Sequence, residues 1–310
     1  MREFLAFGEP LVGFYPPREA SVVDDVPITK TWGGDTSNFA IGVARLGHSV
    51  SYYSAVGDDP FGKGFIALWK HNGVDTSLVS VDGRRRTGLY FVSFEGERHI
   101  FTYYRKGSAA SAMLPERIPC DIAEKYAVLH LSGISLGMST TARATGFALM
   151  RAFRKAGKLI SFDINYRSPQ WISTKRASGV FEEAVAIGID ILEITDEEMS
   201  ALGWGKNLAD LRYKFSAVPT IVMKKGPRGV SIDAEGDSFD MPAFSISVKD
   251  TVGAGDSFDA GYLSAIVEGV APREAARFAA ATAALTCTGT GPLEKMPFRE
   301  EVLHFLASNS

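Results

Sequence analysis

The chain has 310 residues, 45% of them hydrophobic and 22% charged. It can bury a substantial core in one large or two medium domains, and its composition excludes a disordered or fibrous protein. A formal net charge of −3 gives no basis for a nucleic acid or an anionic membrane surface as partner. Cys120 and Cys287, the two cysteines, form neither a CxxC nor a CxxH arrangement, so neither a disulfide framework nor a structural zinc site is expected. The N-terminus, MREFLAFGEP, lacks an apolar stretch of signal-peptide length, and no 18-residue apolar run occurs. The expected compartment is the cytoplasm.

In chain order, short apolar runs at 4–8, 50–56, 127–131, 159–164, 189–194 and 220–223 read as strands. Segments of helical period lie between or after them, at 37–46, 61–72, 141–156, 176–187 and 208–215. Strands apolar throughout and separated by helices predict an α/β fold, a central mainly parallel sheet flanked by helices. Ligands of such sheets bind beyond the carboxyl ends of the strands.

Two segments break the rhythm. Residues 89–94 and 99–105 flank Glu95-Gly96 and predict an antiparallel hairpin. With that pair as the turn, Phe94 faces Glu97 and Tyr90 faces Phe101, while Tyr90, Tyr103 and Arg105 share one face. An extended stretch over 11–31 is expected to pair with the hairpin as a small β-sheet lid. No repeat, low-complexity tract or Pro/Gly-rich linker appears. The expectation is a single domain, 1–310, with a lid from about 11–31 and 88–105. Apolar Phe91, Val92, Phe94 and Ile100 predict a homo-oligomer, lid against lid.

The strongest chemical signal is Asp250-Thr251-Val252-Gly253-Ala254-Gly255-Asp256, followed by Phe258, Tyr262, Ala265 and Ile266 at helical spacing. Three small residues let backbone approach a ligand, and the first-turn N–H groups with the helix dipole form an anion site. Asp256 in that field is expected to be ionised and ready to accept a proton. Gly57-Asp58-Asp59-Pro60-Phe61-Gly62-Lys63-Gly64 nearly matches a Walker A loop. Gly64 lacks the Mg²⁺-binding hydroxyl, so it reads as a strand-to-helix turn with Asp59 or Pro60 starting the helix. His48, His71, His99, His130 and His304 show no metal-ligand spacing, and Arg84, Arg85 and Arg86 read as a solvated turn.

These motifs resemble the ribokinase-like (PfkB) family of carbohydrate kinases. The family's N-terminal signature stands here as Gly33-Gly34-Asp35-Thr36-Ser37-Asn38, ending in Ala44-Arg45-Leu46-Gly47. The resemblance continues through Gly57-Asp58-Asp59-Pro60-Phe61-Gly62, Asp163-Ile164-Asn165 and Lys225-Gly226-Pro227-Arg228-Gly229, nearly the whole chain. It implies an ATP-dependent sugar kinase with Mg²⁺, and K⁺ in some members. Asp256 is then the base for the substrate hydroxyl, and Gly253, Ala254 and Gly255 are the anion hole. Gly34, Asp35 and Asn38 take sugar hydroxyls. Asn165, Glu193, Lys225, Gly226 and Gly229 line the nucleotide site, with Arg167, Gly253 and Gly255. Asp250 and Thr251 belong to the monovalent-cation loop. The family's Asn-x-x-Glu motif, tied to Mg²⁺, appears as Thr195-Asp196-Glu197-Glu198, with Glu198 acting on Mg²⁺ through water; an N-cap at Thr195 is the competing role.

Phe101-Thr102-Tyr103-Tyr104-Arg105 and Asp163-x-Asn165-x-Arg167, followed by Trp171, are similar to 2-keto-3-deoxygluconate kinases. That similarity implies a sugar acid met by Tyr90, Tyr103, Arg105 and Arg167. An arginine fork suits a carboxylate and has no equivalent partner on a neutral hexose. The alternatives are fructokinase, 5-dehydro-2-deoxygluconokinase and a silent sugar-binding sensor.

Overall fold

The computed structural model describes residues 2–17, 20–95 and 98–309, without the side chains of 94–99. Thirteen strands run β1 (Arg2–Phe7), β2 (Leu11–Tyr15), β3 (Thr29–Gly33), β4 (Val50–Gly57), β5 (Val79–Asp82), β6 (Gly88–Glu95) and β7 (Arg98–Tyr104). They continue as β8 (Tyr126–Ser132), β9 (Leu159–Asp163), β10 (Ile191–Thr195), β11 (Thr220–Lys224), β12 (Val230–Ala234) and β13 (Asp237–Met241). Among the described residues nine of these form one sheet, in the order β13-β12-β11-β10-β9-β8-β1-β4-β5. Its pairs from β11 through β5 are parallel, and β12 and β13 add an antiparallel edge. This is the ribokinase-like α/β fold.

Side-chain alternation feeds both faces. Phe4 and Ala6 of β1 join one core with Phe39, Tyr52, Trp69 and Tyr262. Leu5 and Phe7 join the other, with Phe153, Phe162 and Phe181. Both cores need helices over them, which is why the strands read as unbroken apolar runs. β5, β12 and β13 escaped the sequence pattern. They are short, and β5 and β13 are mostly exposed or half-buried. No helix among the described residues is long and apolar enough to cross a membrane.

The second sheet, β3-β2-β6-β7, contains both segments expected of the lid. Its register differs from the expectation. Tyr90 pairs with Tyr103, not Phe101, and Glu95 with Arg98. The expected Glu95-Gly96 turn and the Phe94–Glu97 pair extend outside the described residues. Because strands have a period of two, a two-residue change of register keeps every side chain on its face. Tyr90 and Val92 pack with Leu11 and Tyr15 on that face, against Phe101 and Tyr103. Val92 is fully buried, and Phe91 stacks on Phe14 at 5.2 Å. Part of the apolar lid surface assigned to association is therefore covered within the chain.

Asp59 caps the helix Pro60–His71, accepting from the Gly62 amide at 2.8 Å, as the strand-to-helix reading required. It also accepts from the Thr87 amide at 2.8 Å, which ties the entry of β6 to the central sheet. Trp69 on this helix meets Tyr52 at 4.9 Å and Phe65 at 5.2 Å, and its Nε1 donates to Ser37 Oγ at 2.9 Å. Ser37 lies on the helix Asp35–Arg45, so Trp69 braces the helix that presents Asp35 and Asn38. Trp69→Ala is expected to cost about 3–5 kcal/mol, read as a lower urea midpoint at unchanged slope. A loss under about 1 kcal/mol would show that the helix is held by other contacts.

Candidate active site

A cleft of about 660 Å³ opens between the lid and the carboxyl ends of β9, β10 and β11. Helix Ala254–Val267 enters it from one side. No side chain caps this helix; the Ala254 amide donates to the Thr251 carbonyl at 3.2 Å, and Gly255 stands in the cleft wall. Gly253 has φ +82°, and an added Cβ would stand 2.5 Å from Pro292 Cβ. Gly34, at φ +99°, starts the facing helix, where a Cβ would meet the Glu9 carbonyl at 2.4 Å. Both turns require glycine.

Asp256 lies in the first turn of its helix and accepts from Asn38 Nδ2 at 2.7 Å. Asp35 is buried, accepts from the Ser132 hydroxyl, and takes Asn165 Nδ2 at 3.3 Å. Asn165 adopts φ +37°, a left-handed backbone that asparagine tolerates better than most residues. Asp35 Oδ1 and Asn38 Oδ1 are buried without a partner, two acceptors suited to ligand hydroxyls.

The protonation of Asp256 differs from the expectation. Burial and the neighbouring carboxylates of Asp35 and Asp163 push it up to about 7, against the pull of Asn38 and Lys224. The helix N-terminus favours the anion, but two buried acids outweigh it. A carboxyl balanced near neutrality is suited to accepting a proton.

Of the residues singled out in the sequence, the cleft brings together Gly34, Asp35, Asn38, Tyr90, Tyr103, Asn165, Arg167, Glu198, Thr251, Gly253, Gly255 and Asp256. Ala254, Asp250, Lys225, Gly226 and Gly229 are not in its wall. Lys225, Gly226 and Gly229 occupy the turn after β11, and Lys225 pairs with Asp240 at 2.6 Å. Asp250 accepts from the Val252 amide at 3.1 Å and the Gly291 amide at 2.8 Å, which fixes the loop.

The assignments of Glu193 and Arg105 change, and Glu198 gains a capping partner. Glu193 is fully buried beneath the cleft and takes Ser161 Oγ at 3.1 Å, so it does not line a nucleotide site. Glu198 forms a capping box with Thr195 and accepts from Arg167 Nη1 at 3.2 Å. Its capping role is present, and both oxygens already have partners. Arg105 is not in the cleft wall. Its guanidinium pairs with Glu9, 1% exposed, which also accepts from Ser108 Oγ. The pair engages Nη2 with Glu9 Oε2, and Nη1 is buried without a hydrogen-bond partner.

Arg167 is the guanidinium that lines the cleft, 42% exposed. Burial would lower its pKa, but Glu198, Tyr103, Asp163 and Asp256 raise it. Its Nη1 reaches Glu198 and the Tyr166 carbonyl. Asp163 and Lys224 also line the cleft, and neither carried a role in the sequence reading. The signal for Lys224 was a charge closing an otherwise apolar strand, Thr-Ile-Val-Met-Lys. Among the described residues no group of three or more His, Cys, Asp or Glu is arranged to hold a metal ion.

Residues 1–299 match the pfkB family of carbohydrate kinases. The chain is 30% identical to fructokinase-1 of Oryza sativa subsp. japonica, over 98% of this chain and 97% of that protein. It is also 30% identical to 2-dehydro-3-deoxygluconokinase of Thermoproteus tenax, over 99% of this chain and 94% of that protein. A fructokinase from Vibrio cholerae O395, solved with fructose, ADP and calcium ion bound, superposes with a TM-score of 0.86 at 25% identity, over 98% and 99% of the two chains.

The Glu9–Arg105 pair generates a stability prediction. Arg105→Met leaves Glu9 buried without its cation, expected to cost about 3–5 kcal/mol. Burial holds the Glu9 pKa above its ordinary value, against Arg105 and Ser108. A raised folded-state pKa contributes stability at low pH that is lost as pH rises above about 4.5. The variant's deficit should therefore be larger at pH 8 than at pH 5 in urea titrations, and Glu9→Gln in the same chain should recover most of it. Equal stability of variant and wild type at both pH values would refute the pairing.

Proposed function

The chain belongs to the pfkB family of carbohydrate kinases, and from that premise we propose that its acceptor is a sugar acid, 2-keto-3-deoxygluconate, phosphorylated by ATP to 2-keto-3-deoxy-6-phosphogluconate. Asp256 carries this reading. It is a half-buried carboxyl balanced near pH 7, beside two unpartnered acceptors and a glycine loop. The sugar hydroxyl gives its proton to Asp256 as its oxygen bonds to the γ-phosphorus and the bond to ADP breaks. First-turn amides at Gly253–Gly255 meet the charge on the transferring group. Mg²⁺ brought with ATP would offset phosphate charge there, and Glu198 would act on it through water. A K⁺ ion at the Asp250–Thr251 loop would depend on main-chain carbonyls.

Arg167 supports the acid. It is the guanidinium in the cleft wall, near Tyr103 and Asp256. The pairing of Arg105 with Glu9 favours the second reading, a neutral hexose such as fructose, in line with the Oryza sativa relative.

A panel of sugars and sugar acids separates these, and no transfer to any of them would leave the sensor reading. Asp256→Asn should lower kcat by about 10²–10⁴-fold, and wild-type kcat/KM should rise through about pH 7 as Asp256 loses its proton. Arg167→Met should lose about 10–150-fold in kcat/KM with 2-keto-3-deoxygluconate, as expected for a charged hydrogen bond, with little change for fructose. Equal losses on both substrates would remove the carboxylate role. We also expect lid-to-lid association, since Phe91 and Ile100 are only partly buried and Tyr104 is 63% exposed. Light scattering that gives a monomer mass at micromolar concentration would exclude it.

A further inference from the structure

Three carboxylates close around one ammonium directly beneath the glycine loop. Lys224 Nζ lies 2.7 Å from Asp259 Oδ1, 3.4 Å from Asp163 Oδ2 and 3.8 Å from Glu193 Oε2. Asp163, Asp259 and Glu193 are all buried, and Lys224 is 9% exposed. A Cβ added to Gly255 would stand 3.6 Å from Nζ, so the ammonium lies against the first turn of the helix carrying Asp256. Lys224 also lines the cleft.

Burying such a group is unfavourable, and a well-packed apolar cluster would stabilise the fold as well or better. Burial would lower the Lys224 pKa, but Asp163, Asp259 and Glu193 raise it well above its ordinary value, so the ammonium stays charged. Burial and the neighbouring Glu193 carboxylate also raise Asp259. The cluster thus keeps a permanent cation at the floor of a cleft crowded with acids.

We propose that Lys224 is a positioning residue for phosphoryl transfer: held under Gly255 by Asp259, Asp163 and Glu193, its ammonium offsets the carboxylates that crowd Asp256. The groups facing Asp256 are Asn38 and Asp35 from helix Asp35–Arg45, Asp163 from β9, Arg167 from the loop after β9, and Lys224 from β11. Arg167 is substantially exposed and screened by solvent, whereas Lys224 is buried and screened little. Lys224 lowers the proton affinity of Asp256 while Asp35 and Asp163 raise it. Without Lys224 the base would hold its proton to higher pH.

This role rests on Asp256 being the base, so the test has one readout that needs no turnover. The ¹³C resonance of the Asp256 carboxyl, assigned by its loss in Asp256→Asn, is titrated in the ligand-free protein. The pH profile of kcat/KM is measured with ATP and 2-keto-3-deoxygluconate, or fructose if the wild type prefers it. Lys224→Met should move both the titration and the acid limb about one pH unit alkaline, a ten-fold loss at pH 6.5 that shrinks towards pH 9. Lys224→Arg keeps the charge and should keep the wild-type limb. If Lys224→Met does not fold, Lys224→Met with Asp259→Asn removes the nearest carboxylate too, and the same alkaline displacement is expected. A uniform fall in activity with limb and titration unmoved would overturn the proposal, leaving Lys224 as structural support. If no sugar is phosphorylated, the kinase reading falls, while the carboxyl titration still decides whether Lys224 governs Asp256.

Discussion

A 2.7 Å hydrogen bond from Asn38 to Asp256 joins residues 218 apart in the chain. It closes the cleft where two helix starts, one after Gly34 and one after Gly253, point at each other. Each start needs a glycine in a left-handed backbone, because a side chain would strike Glu9 or Pro292. The central sheet sets the distance between them. β1 pairs with both β4 and β8, so it is fixed inside the sheet, third from the β5 edge. The carboxyl ends of β9, β10 and β11 then deliver Asp163, Glu193 and Lys224 beneath the same point.

Bringing Asp35, Asp163 and Asp256 so close is electrostatically unfavourable, and the molecule offsets it in three ways. Asp35 accepts hydrogen bonds from Ser132 and Asn165. Asp163 faces Lys224. Asp256 keeps one strong donor, Asn38, and its proton affinity rises instead. Asp256 is left in balance between charged and neutral, which is the property a base needs. Stability is surrendered at the point where chemistry is expected, a common arrangement in active sites.

The alternation of apolar strands and helices was legible because each strand is covered on both faces and carries no polar stripe. The glycine turns were legible because few residues can occupy them. The register of the lid was not, since its turn type is not fixed by Glu95 and Gly96 alone. The common face of Tyr90 and Tyr103 survived because a slip of two preserves side-chain direction. Asp256 was found by its motif, but its protonation was misjudged. The local view contains the helix start and lacks Asp35 and Asp163, which reach it from other elements. Lys224, Glu193 and Asp259 form a cluster that no spacing along the chain reveals. Its members come from β10, β11 and the helix Ala254–Val267, and only the fold makes them neighbours.

Arg105 shows how a correct face can still give an incorrect partner. It shares the inner face of the lid with Tyr90 and Tyr103, as alternation requires, yet its guanidinium is held by Glu9. Glu9 lies just beyond β1, so the pair ties the end of β7 to the main sheet. Ser108 donates to the same carboxylate and continues the tie into the segment that follows. Arg105 also lies over the Tyr103 ring, 5.9 Å from its centroid. Tyr103 stands in the cleft wall, so Arg105 supports that wall from behind. Two arginines from similar motifs thus divide the work: Arg105 anchors the lid, and Arg167 presents charge to whatever enters beneath it.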